Sequence, residues 1–253
     1  MIIDAFALVG HWPLRPLRDE RSPLRWMDRA GIDRALVLPL DAVFRFDALA
    51  TSEEAVRLTR RSGGRLLPVY PVNPALPGWK ERLDRAVRRA LPAALALFPS
   101  YHLYGLDGPW ADELLAEASR LTLPVHLALR LEDPRKQHPL FRARDVSMES
   151  ALALARRHPD TSLVLLGASA GTRRTARRSS PGNVYVEISG METLDPPAAA
   201  AKAFGIERVL FGTRGPFFAP ESARLKLECS TLDARKKRLI LFENARRLYR
   251  ALS

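Results

Sequence analysis

Short apolar runs alternate with amphipathic stretches along the whole chain. Eight of the runs read as strands: Ile2 to Leu8, Arg34 to Pro39, Leu66 to Val72, Ala94 to Pro99, Pro124 to Arg130, Ser162 to Ala168, Asn183 to Ser189 and Arg208 to Thr213. Between them the apolar period lengthens to that of a helix, over Pro23 to Ala30, Ser52 to Arg61, Gly78 to Arg89, Pro109 to Arg120, Met148 to Arg157 and Pro197 to Phe204. A short basic helix is expected from Thr172 to Ser180 and a long last one from Asp233 to Leu252. Several of these stretches open on Ser, Asp or Pro and stop at Gly or Pro, as at Gly31, Pro159 and Gly205, the usual boundary residues of helices. Strand and helix alternating eight times predict an α/β fold, a (β/α)8 TIM barrel occupying residues 1–253 as one domain. A doubly wound open sheet is the alternative, but the first strand-helix junction lacks the Gly-x-Gly-x-x-Gly loop of its dinucleotide-binding form.

Composition changes this picture little. The chain is 47% hydrophobic and 27% charged, which excludes disordered, collagen-like and disulfide-stapled classes. Its single cysteine, Cys229, fits a reducing compartment. Asp4 interrupts the first apolar run and no positively charged segment precedes it, unlike a signal peptide, and the run Ala90 to Pro99 is too short to span a bilayer. The expectation is a cytoplasmic protein with no membrane partner. Charge says more: the formal net charge is +12, a field that draws nucleic acids, acidic proteins and small anions alike. Six of the 40 basic residues are lysines and there is one glutamine, the direction taken by thermophile proteins, although arginine over lysine also follows from a GC-rich genome.

In a (β/α)8 barrel the reacting groups sit at the C-terminal ends of the strands. Alternation places Asp4, Phe6 and Leu8 on one face of the first strand, His126, Ala128 and Arg130 on one face of the fifth, and Arg214 near the end of the eighth. The polar set expected at the mouth is Asp4, His11, Tyr101, His102, Arg130, Glu132, Asp133, Arg135, His138 and Arg214. Within it, His102, Arg130, Glu132, His138 and Arg214 are the candidate catalytic residues, because a histidine beside a carboxylate can move protons and arginines fork onto a carboxylate or phosphate. Asp4, His11, Tyr101, Asp133 and Arg135 are candidate ligand contacts.

A further pattern runs from end to end: Ile3-Asp4-Ala5 with Val9-Gly10, Met27 to Arg34 leading into the second strand, Leu97-Phe-Pro-Ser-Tyr-His102 with Leu106-Asp107, Leu123-Pro-Val125, Leu210-Phe-Gly212 with Pro216-Phe217, and Asn244-Ala-Arg-Arg-Leu248. In these residues and their order the chain resembles the amidohydrolase-related metal-dependent hydrolases, a (β/α)8 family that includes decarboxylases. The resemblance implies a metal site, and its ligand positions fall on Phe6, Leu8, Ala128, Ala168 and Arg214. A hydrolytic metal needs about three N, O or S ligands, so the resemblance implies a divergent member in which metal-dependent hydrolysis is lost and no cofactor is expected. Arg214 puts a fixed positive charge where a cation would sit. The reading is a metal-independent enzyme or a catalytically silent binder of a small anionic organic ligand, with a zinc hydrolase or decarboxylase built from other ligands as the alternative, and a homodimer by analogy with the fold.

Plainer readings stand beside these. Phe6 and Leu8 fill the barrel, His126 is a hydrogen-bonded core histidine, and Arg130 and Arg214 pair with Glu132, Asp133 or Asp4. His102 and His138 are loop residues, Cys229 is inert, and Trp12, Trp26, Trp79 and Trp110 anchor loops. Separately, Arg156, Arg157, Arg173, Arg174, Arg177 and Arg178 make a basic surface that suits nucleic acid or an acidic protein, or is simply a solvated face.

Overall fold

The computed structural model describes residues 1–17, 22–169 and 180–252. Eight strands, β1 (Ile3–Val9), β2 (Arg34–Pro39), β3 (Leu66–Pro71), β4 (Ala94–Leu97), β5 (Val125–Ala128), β6 (Leu163–Leu166), β7 (Val184–Glu187) and β8 (Val209–Leu210), pair in chain order, every pair parallel. The ring closes where Ala5 N donates to Phe211 O, Arg214 N to Phe6 O and Leu8 N to Gly215 O, at 2.8, 2.7 and 2.7 Å. The expected TIM barrel is therefore the fold. Around it lie α1 (Pro23–Ala30), α2 (Ser52–Arg61), α3 (Trp79–Arg89), the single turn α4 (Pro99–His102), α5 (Pro109–Leu121), α6 (Met148–Arg157), α7 (Pro196–Phe204) and α8 (Pro220–Glu228). The expected helix between the sixth and seventh strands falls at residues 172–179, outside the described residues.

The boundaries follow local chemistry. Pro23 opens α1 where a missing N–H costs nothing, and Gly31 closes it at φ 67, a left-handed turn that glycine adopts without a Cβ clash. Ser147 caps α6 by accepting from Ser150 N, and Asp195 caps α7 by accepting from Ala198 N. Strand alternation sorts side chains into two dry layers. Val125 and Leu127 of β5 pack outward against the helices, while Ala128 packs inward with Phe6, Leu8, Leu38, Val164 and Leu166. Each such side chain contributes roughly 1.5–3 kcal/mol by leaving water.

Two expectations are corrected. The helix read from Asp233 to Leu252 is broken into α9 (Ala234–Arg238), a wide π turn (Leu239–Glu243), α10 (Asn244–Leu248) and a last 3-10 turn (Arg250–Leu252). The barrel imposes the break: the Asn244 amide donates to Ile206 O and Val209 O, both at 2.8 Å, and the Ile240 carbonyl accepts from Phe211 N at 3.0 Å. Beyond the break, Ala245, Tyr249 and Leu252 join the inward-facing layer. Strand β1 does not alternate simply either. A bulge between Asp4 and Ala7 resets its pleat, so Ile3, Ala5, Phe6 and Leu8 all join the inward layer and Ala7 and Val9 the outer one. Among the described residues no helix is long and apolar enough to cross a membrane.

Candidate functional site

The C-terminal end of the barrel is sealed along its axis by aromatic rings. Trp12 after β1 stacks near Phe44 after β2, at 5.0 Å between centroids, and meets Phe217 after β8 edge-on at 4.9 Å. Phe141 after β5 bridges Phe44 at 5.0 Å and Tyr101 of α4 at 5.8 Å. Polar groups are displaced to one side. A pocket of about 380 Å³ opens between the ends of β5, β6, β7 and β8, with Arg130, Asp133, Arg135, Glu192, Arg214 and Phe218 in its wall.

Arg214 governs this pocket. Its residue is 1% exposed, and its guanidinium lies over the rings of Phe218 and Phe6, 4.8 and 5.7 Å from their centroids. Nε donates to Ser189 Oγ at 3.3 Å, and Nη2 has no hydrogen-bond partner among the described residues. No carboxylate comes within ion-pair distance of it among the described residues. Burial holds the Arg214 pKa below the ordinary arginine value, opposed by the nearby Glu187. The backbone is shaped around this side chain: a Cβ on Gly190 would meet Nη2 at 2.4 Å, and one on Gly167 would meet it at 2.9 Å.

Two buried carboxylates lie in the same region, and their oxygens are already engaged. Glu187 accepts from Gly167 N at 2.7 Å and from Ser189 N at 2.5 Å. Asp4 accepts from Phe6 N and Thr213 N at 3.0 Å and from the Thr213 hydroxyl at 2.5 Å. Burial raises the Asp4 pKa to about 6, more than these hydrogen bonds lower it. Asp4 is fully buried and braces β1 against the end of β8 instead of lining the mouth.

The other expected site residues separate into groups. Arg130, Asp133, Arg135 and Arg214 share the pocket. Arg130 forks onto Asp145, which corrects its expected pairing with Glu132, Asp133 or Asp4. Asp133 is held at about pKa 2 by the hydrogen bond from Arg135. Glu132 is buried against Arg15 at 2.9 Å, and burial raises its pKa more than Arg15 lowers it. Tyr101 is half-buried in the aromatic seal, its phenol pKa raised by burial and by Glu132. His102 turns inward to Ala42 O at 3.0 Å, and burial lowers its pKa. His138 accepts from Leu140 N at 3.2 Å, and His11 is exposed. Neither His102 nor His138 contacts a carboxylate among the described residues, so the expected proton-transfer pair is not formed.

The sequence reading missed Glu187, Ser189 and Gly190. The run Tyr185-Val-Glu187-Ile-Ser189 carries a period of two with polar residues on one face, the signal read on β5 and not on β7. His126 lies in the barrel core and bonds the Tyr249 hydroxyl at 2.8 Å, with its pKa lowered to about 3 by burial. Trp12, Trp26 and Trp79 are buried, and Trp110 is half-exposed against Tyr104. Cys229 is exposed. Of the basic surface, Arg157 pairs with Asp112, and residues 173, 174, 177 and 178 lie outside the described residues.

A sequence profile of the amidohydrolases matches residues 27–251. The chain belongs to the amidohydrolase family. No curated protein matches its sequence. Among solved structures, this amidohydrolase is similar to 5-carboxyvanillate decarboxylase from Sphingomonas paucimobilis, at TM-score 0.74 and 13% identity over 98% of each chain. It is also similar to 4-oxalomesaconate hydratase from Rhodopseudomonas palustris, at TM-score 0.70 and 16% identity over 100% of this chain and 96% of that one. A third, 5-carboxyvanillate decarboxylase from Novosphingobium aromaticivorans, has TM-score 0.67 and 15% identity over 89% of this chain and 79% of that one, and its structure carries bound manganese. Identities this low show the shared fold alone.

A metal is therefore plausible in the family, and the residues of this amidohydrolase can be tested against one. Phe6 and Leu8 have no donor atom and are packed in the barrel interior, Ala128 offers a methyl group, and Ala168 packs in the outer layer. Arg214 is a cation. Among the described residues no group of three His, Cys, Asp or Glu side chains converges. This donor set does not fit a divalent ion.

Proposed function

We propose that this amidohydrolase-family barrel binds a small organic anion, a carboxylate, in the pocket between β5 and β8, with the Arg214 guanidinium taking over the charge role that a metal would otherwise have. The observation that carries this reading is the buried Arg214 in the pocket wall, whose Nη2 has no hydrogen-bond partner among the described residues. A buried charge without a counter-ion is costly, several kcal/mol even after relaxation, and a ligand carboxylate removes that cost with a charge-assisted hydrogen bond. The names of the similar structures, a carboxyvanillate decarboxylase and an oxalomesaconate hydratase, also point to carboxylated molecules.

The geometry supports binding more than turnover. Asp133 and Glu192 are both bonded to Arg135, at 2.7 and 3.4 Å, and act as its counter-ions. Arg130 is engaged with Asp145, and no described histidine lines the pocket. That arrangement supports the reading of a silent or metal-independent protein.

The test combines elemental mass spectrometry of the purified protein with thermal unfolding in benzoate, phthalate and sulfate. The expected result is no stoichiometric zinc, manganese or iron, and a carboxylate-dependent rise in Tm that Arg214→Met abolishes. A tightly held stoichiometric metal would overturn the reading. So would the absence of any shift with all three anions.

A further inference from the structure

A second basic site, sharing no residue with the pocket at Arg214, lies between α2 and α3 on the outside of the barrel. A groove of about 440 Å³ separates them, within the range of small-molecule sites. Arg57 and Arg60 line it from α2, and Arg82, Arg85 and Arg89 from α3. Spacings of three on α2, and of three and four on α3, put each set on one helix face, so two arginine rows meet across one groove. Only Asp47 and Glu53 oppose them in the wall.

Pairing is incomplete. Arg82 meets Asp47 at 3.5 Å, Arg89 meets Glu53 at 3.2 Å, and Arg57 is bonded to Glu54 along its own helix. Arg60 and Arg85 have no hydrogen-bonded or ion-paired side chain among the described residues. Between the rows the floor is apolar: Val56 and Ala86 are part-exposed, above the buried Leu49 and the buried Tyr70, whose hydroxyl donates to Ala90 O at 2.7 Å. Like charges facing each other across a groove repel, and repulsion is relieved when a multivalent anion bridges them. A polyphosphate offers several negative charges to the two rows where an isolated carboxylate offers one, and the apolar floor accepts a flat organic body.

We propose that the groove between α2 and α3 binds a compact organic polyphosphate of the nucleoside di- or triphosphate class, with Arg60 and Arg85 clamping the phosphates and the ring system lying over Val56 and Ala86. Arginine suits this task because its planar fork matches phosphate oxygens in pairs. The site is independent of the pocket at Arg214, and the two succeed or fail separately.

Isothermal titration calorimetry of the full chain with ATP, inorganic tripolyphosphate and adenosine tests it. ATP is expected to bind with one-to-one stoichiometry, tripolyphosphate more weakly, and adenosine not measurably. The double substitution Arg60→Ala and Arg85→Ala is expected to weaken ATP binding by at least about tenfold, the scale of 1.4 kcal/mol, and Arg214→Met to leave it unchanged. Because neither Arg60 nor Arg85 is ion-paired, the double variant is expected to keep the wild-type Tm, which separates lost contact from lost fold. Binding of neither phosphate compound overturns the proposal, and so does ATP binding that survives the double substitution. A single-stranded oligonucleotide that binds more tightly as it lengthens, displacing ATP, would instead make this wall a nucleic-acid surface.

Discussion

Arg214 shows how one residue type can invert the chemistry of a position. A side chain that is 1% exposed, stacked on Phe6 and Phe218 and without a carboxylate in ion-pair distance among the described residues carries a desolvation cost. Arg214→Met is therefore expected to stabilise the fold by about 1–3 kcal/mol in urea unfolding, while removing the anion response; a loss of stability would show that the guanidinium is structurally satisfied. Two buried titratable groups give opposite pH slopes. The folded pKa of His126 is about 3 against 6.5 unfolded, so the unfolded chain takes up the proton first and stability falls as pH drops from about 6.5 toward 3. His126→Gln, which keeps a partner for the Tyr249 hydroxyl, is expected to remove up to about 4–5 kcal/mol of that acid loss. Asp4 works the other way: with a folded pKa of about 6 against 3.8, it favours the folded state at low pH, and stability falls by up to about 3 kcal/mol as pH rises from 3.8 to 6. Asp4→Asn is expected to flatten that fall, and unfolding free energies at pH 4, 5 and 7 check both variants. Part of this was legible in the chain, since Arg130, Asp133, Arg135 and Arg214 were named from strand ends and share one pocket. Asp4, Glu132 and His102 were drawn inward by Thr213, Arg15 and Ala42, partners 209, 117 and 60 residues away, which local sequence does not reveal.

At the scale of elements, periodicity and caps carried most of the fold. Pro23 to Ala30, Ser52 to Arg61 and Met148 to Arg157 are helices with the boundaries expected from the sequence, because Pro23 starts the first, Glu53, Glu54 and Glu149 lie in the first turns of the other two, and arginines lie in the last turn of all three. The failures occurred where the barrel overrides the local pattern: the π turn at Leu239–Glu243, which exists so that Ile240 and Asn244 can bond the strand-eight region, and the bulge in β1. Helix α8, Pro220–Glu228, went unread because its apolar periodicity is faint and only Pro220, Ala223 and Leu227 are buried. Glycines at the strand ends are the most demanding positions. Gly167 has φ +72, and a Cβ there would lie 1.9 Å from Arg130 O. Gly167→Ala is expected to cost more than about 3 kcal/mol, combining strain and overlap. Gly63, at φ +62 with open space around it, provides the control: Gly63→Ala carries backbone strain alone, about 1–2 kcal/mol. Equal losses in the two variants would show that the contact with Arg130 relaxes freely.

Across the whole molecule, aromatic rings gather at the C-terminal end of the barrel while arginines line a side pocket and the groove between α2 and α3. Rings from the loops after β1, β2, β5 and β8, joined by Tyr101 of α4, shut the axis. Most charge lies in the side pocket and on the outer helices, while Asp4, His126 and Glu187 are buried in the barrel with hydrogen bonds to Thr213, Tyr249 and Gly167. The seal also isolates the interior in time. Asp4 and His126 have 0% exposure, so a proton reaches either one only through an opening of the structure. Their titration is therefore expected to follow the rate of that opening. After a rapid pH jump, the infrared carboxyl band of Asp4 is expected to develop with a delay set by that opening, and Trp12→Ala is expected to shorten it. The barrel interior thus keeps, for a time, a memory of the pH at which it was last open.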